Sequence, residues 1–417
     1  MRLLLTLISF CSFLNLSAQW SVAHSFSGPF HQNFLHTLNE DTVFVGASGS
    51  QYPVIYRSID GGQNFDSLAI SSISYSWLLD IDFPSATVGY ACGGTAFGQY
   101  ASPILKTTDG GVSWDTLVTN RFGYELEQVY FLDEQTGFFA GGGYVVKTTD
   151  GGNSFTVDTI ANGLGNAHDL YFLNANVGLV LMGKDIFKTL NGGQDWVKTN
   201  LDTTLSVGYE KSFSFTSNGQ VGYMLTYQGD MFKSMDGGDN WNWISKVNSM
   251  YGVDIHFVDA QTGYLGAAEI NSFGMNGRIY KTTDGGLTWQ EQYRTPPADI
   301  GRVNSLEMAN AQLGYAIMGN KLLKTLNGGI GFSDFRSKPE FELFPNPATD
   351  YFKLQIPEND NVLSVSLFNM GGSRLKTWNA LQEQYSIGEF PNGMYLIEVE
   401  TTRSVSSSKL QLYQTGN

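Results

Sequence analysis

The chain has 417 residues and a net charge of −15, a balance that excludes a partner held through a phosphate backbone, which needs a basic face. Only 15% of residues are charged, while 48 are glycine and 14% are aromatic. That composition fits many short strands and tight turns and excludes a fold built on long amphipathic helices.

Residues 1–18 read as a targeting segment rather than part of the fold. Met1-Arg2 is a short positive start, Leu3 to Leu16 is an apolar run, and Ser17-Ala18 offers a small-residue cleavage site before Gln19. The run is short for a membrane span, and no other segment is apolar enough to form one, so no transmembrane segment is expected after cleavage. Cys11 follows Phe10 and so does not sit in a lipoprotein-type box. Cleavage leaves Cys92 as the single cysteine, which predicts no internal disulfide and a small apolar strand residue at that position.

Seven boxes then organise the chain. They begin Ser58-Ile-Asp60-Gly-Gly-Gln-Asn-Phe65 and Thr107-Thr-Asp109-Gly-Gly-Val-Ser-Trp114, and continue with Asp150, Asn191, Asp236, Asp284 and a worn copy at Asn327. Successive Asp/Asn positions lie 49, 41, 41, 45, 48 and 43 residues apart, the length of a four-stranded propeller blade. Within a box, Ser/Thr and Asp oxygens can accept from turn amides, the Gly pair supplies positive φ, and the closing Trp or Phe packs into the blade. Repetition in seven places, without the alternating acidic ligands of a calcium loop, points to a turn rather than a metal or catalytic set.

About 20 residues before each box lies a second signature, as in Ile81-Asp-Phe83…Val88-Gly-Tyr90 and Ile255-His-Phe257…Thr262-Gly-Tyr264. Its alternation marks the innermost strand and its Gly-aromatic segment the second. Counting back from the closing apolar residue, the polar positions read Asp82/Asp80, Tyr130/Gln128, Tyr171/Asp169, Ser214/Ser212, His256/Asp254 and Glu307/Ser305, with Leu35/Asn33 expected in blade 1. These residues are expected to line an acidic central channel. The seventh blade lacks a good outer strand after Phe332, whereas Gln19-Trp-Ser-Val-Ala-His24 reads as a strand without a box. That segment is expected to close the ring as the seventh outer strand, removing an exposed edge.

The boxes resemble the Asp-box (BNR) repeat of sialidases, sortilin-type receptors and xyloglucanases. The fuller unit, Gly-Tyr-x-x-Gly followed by Lys-Thr-Thr-Asp-Gly-Gly-x-x-Trp, is similar to photosystem II stability/assembly factor-like propellers over about residues 19–336. The resemblance implies fold, not activity, because enzymes and non-enzymes share the repeat. The tail breaks the pattern with Phe344-Pro-Asn-Pro347, Asn369-Met-Gly-Gly-Ser-Arg374 and Gly393-Met-Tyr395. It resembles the type A C-terminal sorting domain of the type IX secretion system of Bacteroidetes, with the Arg displaced by an insertion. The expected organisation is all-β: a signal peptide (1–18), a seven-bladed β-propeller (19–336) and a small β-sandwich sorting domain (337–417). The tail resemblance implies passage through the periplasm to the outer surface or medium, with the secretion machinery as partner through residues 340–417.

Two places for function stand out. Paired carboxylates at a channel mouth could hydrolyse glycosides, making Asp80, Asp169 and Asp254 the catalytic candidates. The loops from second to third strand are long in blades 1, 2 and 6, which are contiguous through blade 7. They carry Tyr52, Phe97, Tyr100, Phe273, Met275 and Arg278, candidates for stacking on sugars or anchoring a protein. The metalloprotease, nucleophile-elbow and P-loop motifs are absent, and the five histidines show no ligand spacing, so no metal or cofactor is expected. The propeller has arginines at 57, 121, 278, 294, 302 and 336, but the Phe/Tyr-Arg-Ile-Pro segment of sialidases is missing. The sequence therefore favours a secreted or surface-attached, non-catalytic binding propeller whose ligand is a polysaccharide or an envelope protein. A glycoside hydrolase and an assembly factor for another protein are the alternatives.

Overall fold

The computed structural model describes residues 20–27, 31–49, 51–95, 102–118, 122–160, 165–201, 210–216, 219–247, 251–271, 274–295, 301–328, 341–356, 361–369, 374–401 and 405–413. The expected signal peptide, Phe97, Tyr100, Phe273, Phe332 and the Met370–Gly372 part of the tail hairpin lie outside the described residues.

Seven sheets, each built on an antiparallel meander, form the blades. Blade 2 shows the pattern: Ser76–Asp82 innermost, then Gly89–Thr95, Ile104–Thr107 and Asp115–Val118. The outer strand starts just after the box aromatic in five blades and just before Trp241 in blade 5. In blade 4 it is only Val197–Lys198, after which Asn200–Leu201 crosses to run parallel to Asn240–Trp241 of blade 5.

The box turn follows from its residues. Thr107 Oγ1 donates to Asp109 Oδ1 at 2.8 Å and accepts from Gly111 N–H at 3.0 Å. Asp109 in turn accepts Ser113 N–H at 2.9 Å and Ser113 Oγ–H at 2.6 Å. The two glycines have φ of 70° and 80°, a region costly for any residue with a Cβ. These bonds hold the carboxyls of Asp60, Asp109, Asp150 and Asp236 down at about 2. Beyond the turn the box indole meets the closing Phe of the inner strand edge-on, as in Phe83–Trp114, Phe172–Trp196, Phe215–Trp241 and Phe257–Trp289.

A propeller has no single centre of burial, and its apolar material sits in seven seams between neighbouring blades. The blade 2–3 seam joins Tyr90, Cys92 and Ile104 to Leu126, Val129, Phe131 and Val146. Five others repeat the plan between successive blades, and the seventh joins Leu313, Tyr315 and Leu322 to Leu35, Val43 and Val45 across the ring closure. Ser21–Ser25 pairs antiparallel with Lys321–Thr325 as the outer strand of blade 7. It is pinned at its ends by fully buried Trp20, edge-on to Tyr264, and by Phe26, whose N–H donates to Asn320 O at 2.8 Å.

The C-terminal sheets, one of three strands and one of four, share a core that includes Phe352, Val365, Trp378, Tyr385, Ile397 and Leu410. Asn346 of the Pro-Asn-Pro opening accepts Gln411 N–H at 2.9 Å, and Tyr395 donates to Pro391 O at 2.7 Å.

Trp20→Ala removes the buried indole with which the N-terminal segment anchors in the blade 6–7 seam and should cost about 3–5 kcal/mol. The expected readout is a lower urea midpoint for the whole propeller; a loss confined to a few tenths of a kcal/mol would mean that the N-terminal strand does not close the ring.

Candidate functional site

The inner strands carry the channel side chains, and the structure shows what these residues hold. Asp80 accepts its own neighbour's Ile81 N–H at 2.9 Å and, across the seam, Val129 N–H of blade 3 at 2.8 Å. Asp82 accepts Phe131 N–H at 2.5 Å. Asp169 accepts Leu170 N–H and Phe213 N–H, both at 2.7 Å, and Asp254 accepts Ile255 N–H and Leu306 N–H, both at 2.8 Å. Ser212 Oγ lies 2.9 Å from Asp254 and 3.3 Å from Asp169, its single proton directed to one or shared between the two carboxyls. Glu307 accepts Thr37 N–H of blade 1 at 2.7 Å. Where the acid is missing another group takes its place: Tyr130 donates to Phe172 O, Ser214 accepts Phe257 N–H, and Asn33 donates to Leu78 O. Every junction around the ring thus has an inner-strand side chain bonded to the backbone of the next blade.

The structure corrects blade 1. Its inner strand closes on Thr37, one residue later than the pattern suggested, so His36 occupies the position that Asp82 holds in blade 2. Leu35 is buried in the blade 7–1 seam rather than turned to the channel. Asn33 is the bulged residue, and its amide donates to Ser48 Oγ at 2.8 Å and to Leu78 O at 2.7 Å. Equivalent register shifts occur in five other inner strands, always before the polar positions counted back from the closing residue, so the blade 1 error comes from the misplaced closing residue alone.

A second ring lies near the boxes. The Lys or Arg before each Thr/Ser-x-Asp donates to a glycine carbonyl of the next blade's box: Arg57 to Gly110, Lys106 to Gly151, Lys147 to Gly192, Lys188 to Gly237, Lys281 to Gly328 and Lys324 to Gly61, at 2.6–2.8 Å. Lys233, at the remaining junction, stands over the Tyr223 ring. The repeated Lys-Thr-Thr-Asp string was visible in the sequence, but nothing in it says that the lysine reaches out of its own blade.

Electrostatics follow from enclosure. Burial pushes Asp82 up to about 6, Asp169 to about 7 and Glu307 to about 8, and raises Asp80 and Asp254, against the amide bonds that pull the other way. Burial also lowers His36 and His256 to about 4, keeping both neutral. Among the described residues, no group of three or more His, Cys, Asp or Glu is placed to hold a metal ion.

The loop face is built differently. Antiparallel order puts the second-to-third-strand loops at the end opposite the box turns. In blade 6 this connection is a hairpin of two nine-residue strands, Gly263–Asn271 and Gly274–Thr282. The hairpin leans on blade 7: Met275 O accepts Gly301 N–H at 2.9 Å, and a Cβ on Gly277 would lie 2.6 Å from Met318. Met275 is exposed. Arg278 is not presented on the surface; it is 6% exposed and bonds Glu269 and Glu291, with Arg294 completing the network at 2.9 Å from Glu291. Tyr52, in the blade 1 loop, is half-buried and accepts Gln51 Nε2–H at 3.1 Å.

Because Asp169 and Glu307 are held above their unfolded values of about 4, the folded chain binds more protons than the unfolded one between those values. Their contribution is full at low pH and lost as pH rises through about 7 and 8. The neutral histidines act oppositely, and only below about pH 6.5. Tm should therefore fall between about pH 6.5 and 8.5. Glu307→Gln, which keeps an acceptor for Thr37 N–H, should flatten that slope; an unchanged slope would count against a buried, protonated Glu307.

Comparison with known proteins agrees with this geometry. Residues 157–305 match the family described as photosynthesis system II assembly factor YCF48, and residues 342–412 match the secretion system C-terminal sorting domain. Among solved structures, YCF48 bound to D1 peptide is similar at TM-score 0.57 and 16% identity, covering 74% of this chain and 97% of that one. PorZ of Porphyromonas gingivalis, a surface component of the type IX secretion system, gives TM-score 0.56 and 12% identity over 94% of this chain and 61% of its own. The GH74 xyloglucanase of Xanthomonas campestris gives 0.58 and 11% over 81% and 59%. No curated protein matches significantly. At these identities the structural likenesses speak to fold alone. The chain folds as a β-propeller similar to BNR-type assembly-factor propellers and ends in a segment that matches a secretion system C-terminal sorting domain, which marks it for export through the periplasm to the cell surface or the medium.

Proposed function

We propose that the propeller is a non-catalytic binding module, delivered to the cell exterior by its tail, whose ligand is a glycan or an envelope protein met on the loop face. The observation that carries this reading is the commitment of Asp80, Asp169 and Asp254. Each carboxylate holds two backbone amides, one of them on the neighbouring blade. A general acid or nucleophile must reach the substrate, and these groups are spent on holding blades together. The stiff blade 6 hairpin and the blade 1 loop stand on a rigid scaffold at the opposite end from the boxes, the usual arrangement for a binding face. The peptide held by the YCF48 relative supports a protein ligand by analogy, and the fold shared with a xyloglucanase keeps polysaccharide in view. In this reading the sorting domain begins near residue 337 and is the part that the secretion machinery handles.

Two outcomes are expected. A chain lacking residues 340–417 should accumulate in the periplasm, read by fractionation and surface protease shaving; normal surface delivery would sink the export role. Asp80→Asn, Asp169→Asn and Asp254→Asn should each leave capture of isolated envelopes within about twofold of wild type while shifting Tm. Turnover of any polysaccharide by the wild-type chain, abolished by one of these changes without unfolding, would replace this reading by the hydrolase.

A further inference from the structure

One residue on the loop face breaks a local rule. Tyr75, in the connection from blade 1 to blade 2, has φ of 54°, in the left-handed region where a bulky side chain is strained. It is also 54% exposed. The connection is fixed from beneath: Ile70 and Ile73 are buried in the blade 1–2 seam, and Tyr75 N–H donates to Gln51 O at 2.7 Å. A strained, rigidly held and solvent-facing tyrosine is a costly feature to keep where glycine would sit without strain.

Its surroundings continue the theme. Gln51, which anchors Tyr75, also donates to the Tyr52 hydroxyl at 3.1 Å. Two residues beyond Tyr75, half-buried Trp77 follows Ser76 as the second residue of blade 2's inner strand and hydrogen-bonds the Glu125 carboxylate. Glu125 lies where a Cβ on Gly94 would be, 2.5 Å from its Cγ, so that glycine makes the room. Next to Glu125, Tyr124 stacks on Tyr144 with centroids 4.2 Å apart and planes 10° apart. Bonds through Gln51 join Tyr52 to Tyr75, and a bond joins Trp77 to Glu125. The chain itself sets Tyr75 two residues from Trp77 and Tyr124 next to Glu125, so these rings form one arc across blades 1 to 3.

Resting on the binding-propeller reading, we propose that this arc is a platform for a neutral polysaccharide. The exposed Tyr75 ring offers a face to the C–H side of a sugar ring, the partly buried Tyr52, Trp77 and Tyr144 add ring edges beside it, and the polar atoms between them, Gln51 and Glu125, suit hydroxyl groups. The carboxylate in the middle of the arc and the net charge of −15 repel an acidic glycan.

The test uses the full chain and four hexaoses: cellohexaose, laminarihexaose and mannohexaose, with hexagalacturonate as the acidic control. Calorimetry should show saturable binding to at least one neutral hexaose, unchanged between about 50 and 500 mM NaCl because no charge is exchanged. Tyr75→Ala and Tyr144→Ala should each weaken it about tenfold. Tyr75→Gly separates ligand contact from structure: it should raise Tm by relieving the positive φ while weakening binding as Tyr75→Ala does. Binding to hexagalacturonate alone, to none of the four, or undiminished in the Tyr75→Ala/Tyr144→Ala double variant would overturn the platform. Envelope capture by the same double variant distinguishes the two readings. If wild type captures envelopes but binds no neutral hexaose, or if the double variant keeps both activities, the platform falls and the binding propeller stands. If wild type captures neither envelopes nor hexaoses, both fall.

Discussion

The bond from a side chain of one blade to the backbone of the next is the interaction on which this structure depends. A propeller is a ring of sheets without a common core, so it holds together only as well as each seam. Apolar packing fills the seams but is non-directional and permits sliding. Two polar rings fix the register. Near the boxes the Lys and Arg side chains reach glycine carbonyls one blade on, and in the channel Asp, Glu, Ser, Tyr and Asn meet inner-strand backbone. Ser21–Ser25 then closes the ring by adding the missing outer strand of blade 7, so the last seam depends on residues from both ends of the propeller.

That same constraint shapes the chemistry. A buried carboxylate is tolerated only when its charge is removed or its oxygens are bonded. The channel acids use both routes, since they accept backbone amides and have raised proton affinity. An acidic channel in a sequence therefore need not be a reactive one. In the proposed reading, function lies at the other end of the strands, where the loops differ between blades and the repeated bonds leave off.

Much of the architecture was legible because it is written seven times. The box carries its own turn chemistry in Thr107, Asp109 and two glycines, and the Trp20-to-His24 segment reads as a strand because it alternates without a box. The tail was legible through Pro345, Pro347 and Gly393, which punctuate an otherwise alternating pattern. What could not be read is direction across seams. Alternation says that Asp80 faces away from the blade core, but not that Val129 N–H stands opposite. Asn33 and Leu35 were assigned one position early because blade 1 ends its inner strand on Thr37 instead of a large apolar residue, which leaves the closing position unmarked. Arg278 looked like a loop cation; the hairpin buries it between Glu269 and Glu291, a pairing that needs three separated segments. Tyr75 gave no signal at all, since backbone strain at a tyrosine leaves no mark on composition or spacing.

Export by the sorting domain and a rigid ring with variable loops at one end make a coherent whole: a scaffold sent outside the cell to hold something. The most direct test is amide hydrogen exchange of the full chain, with and without isolated envelopes, resolved by peptide. The account predicts new protection in the second-to-third-strand loops and blade connections around Gln51–Trp77, Tyr124 and Met275, with the inner-strand amides of Val129, Phe213 and Leu306 already protected and unchanged. Protection confined to the box turns, or inner-strand amides that become more or less protected on binding, would contradict it and return the channel to the centre of the function.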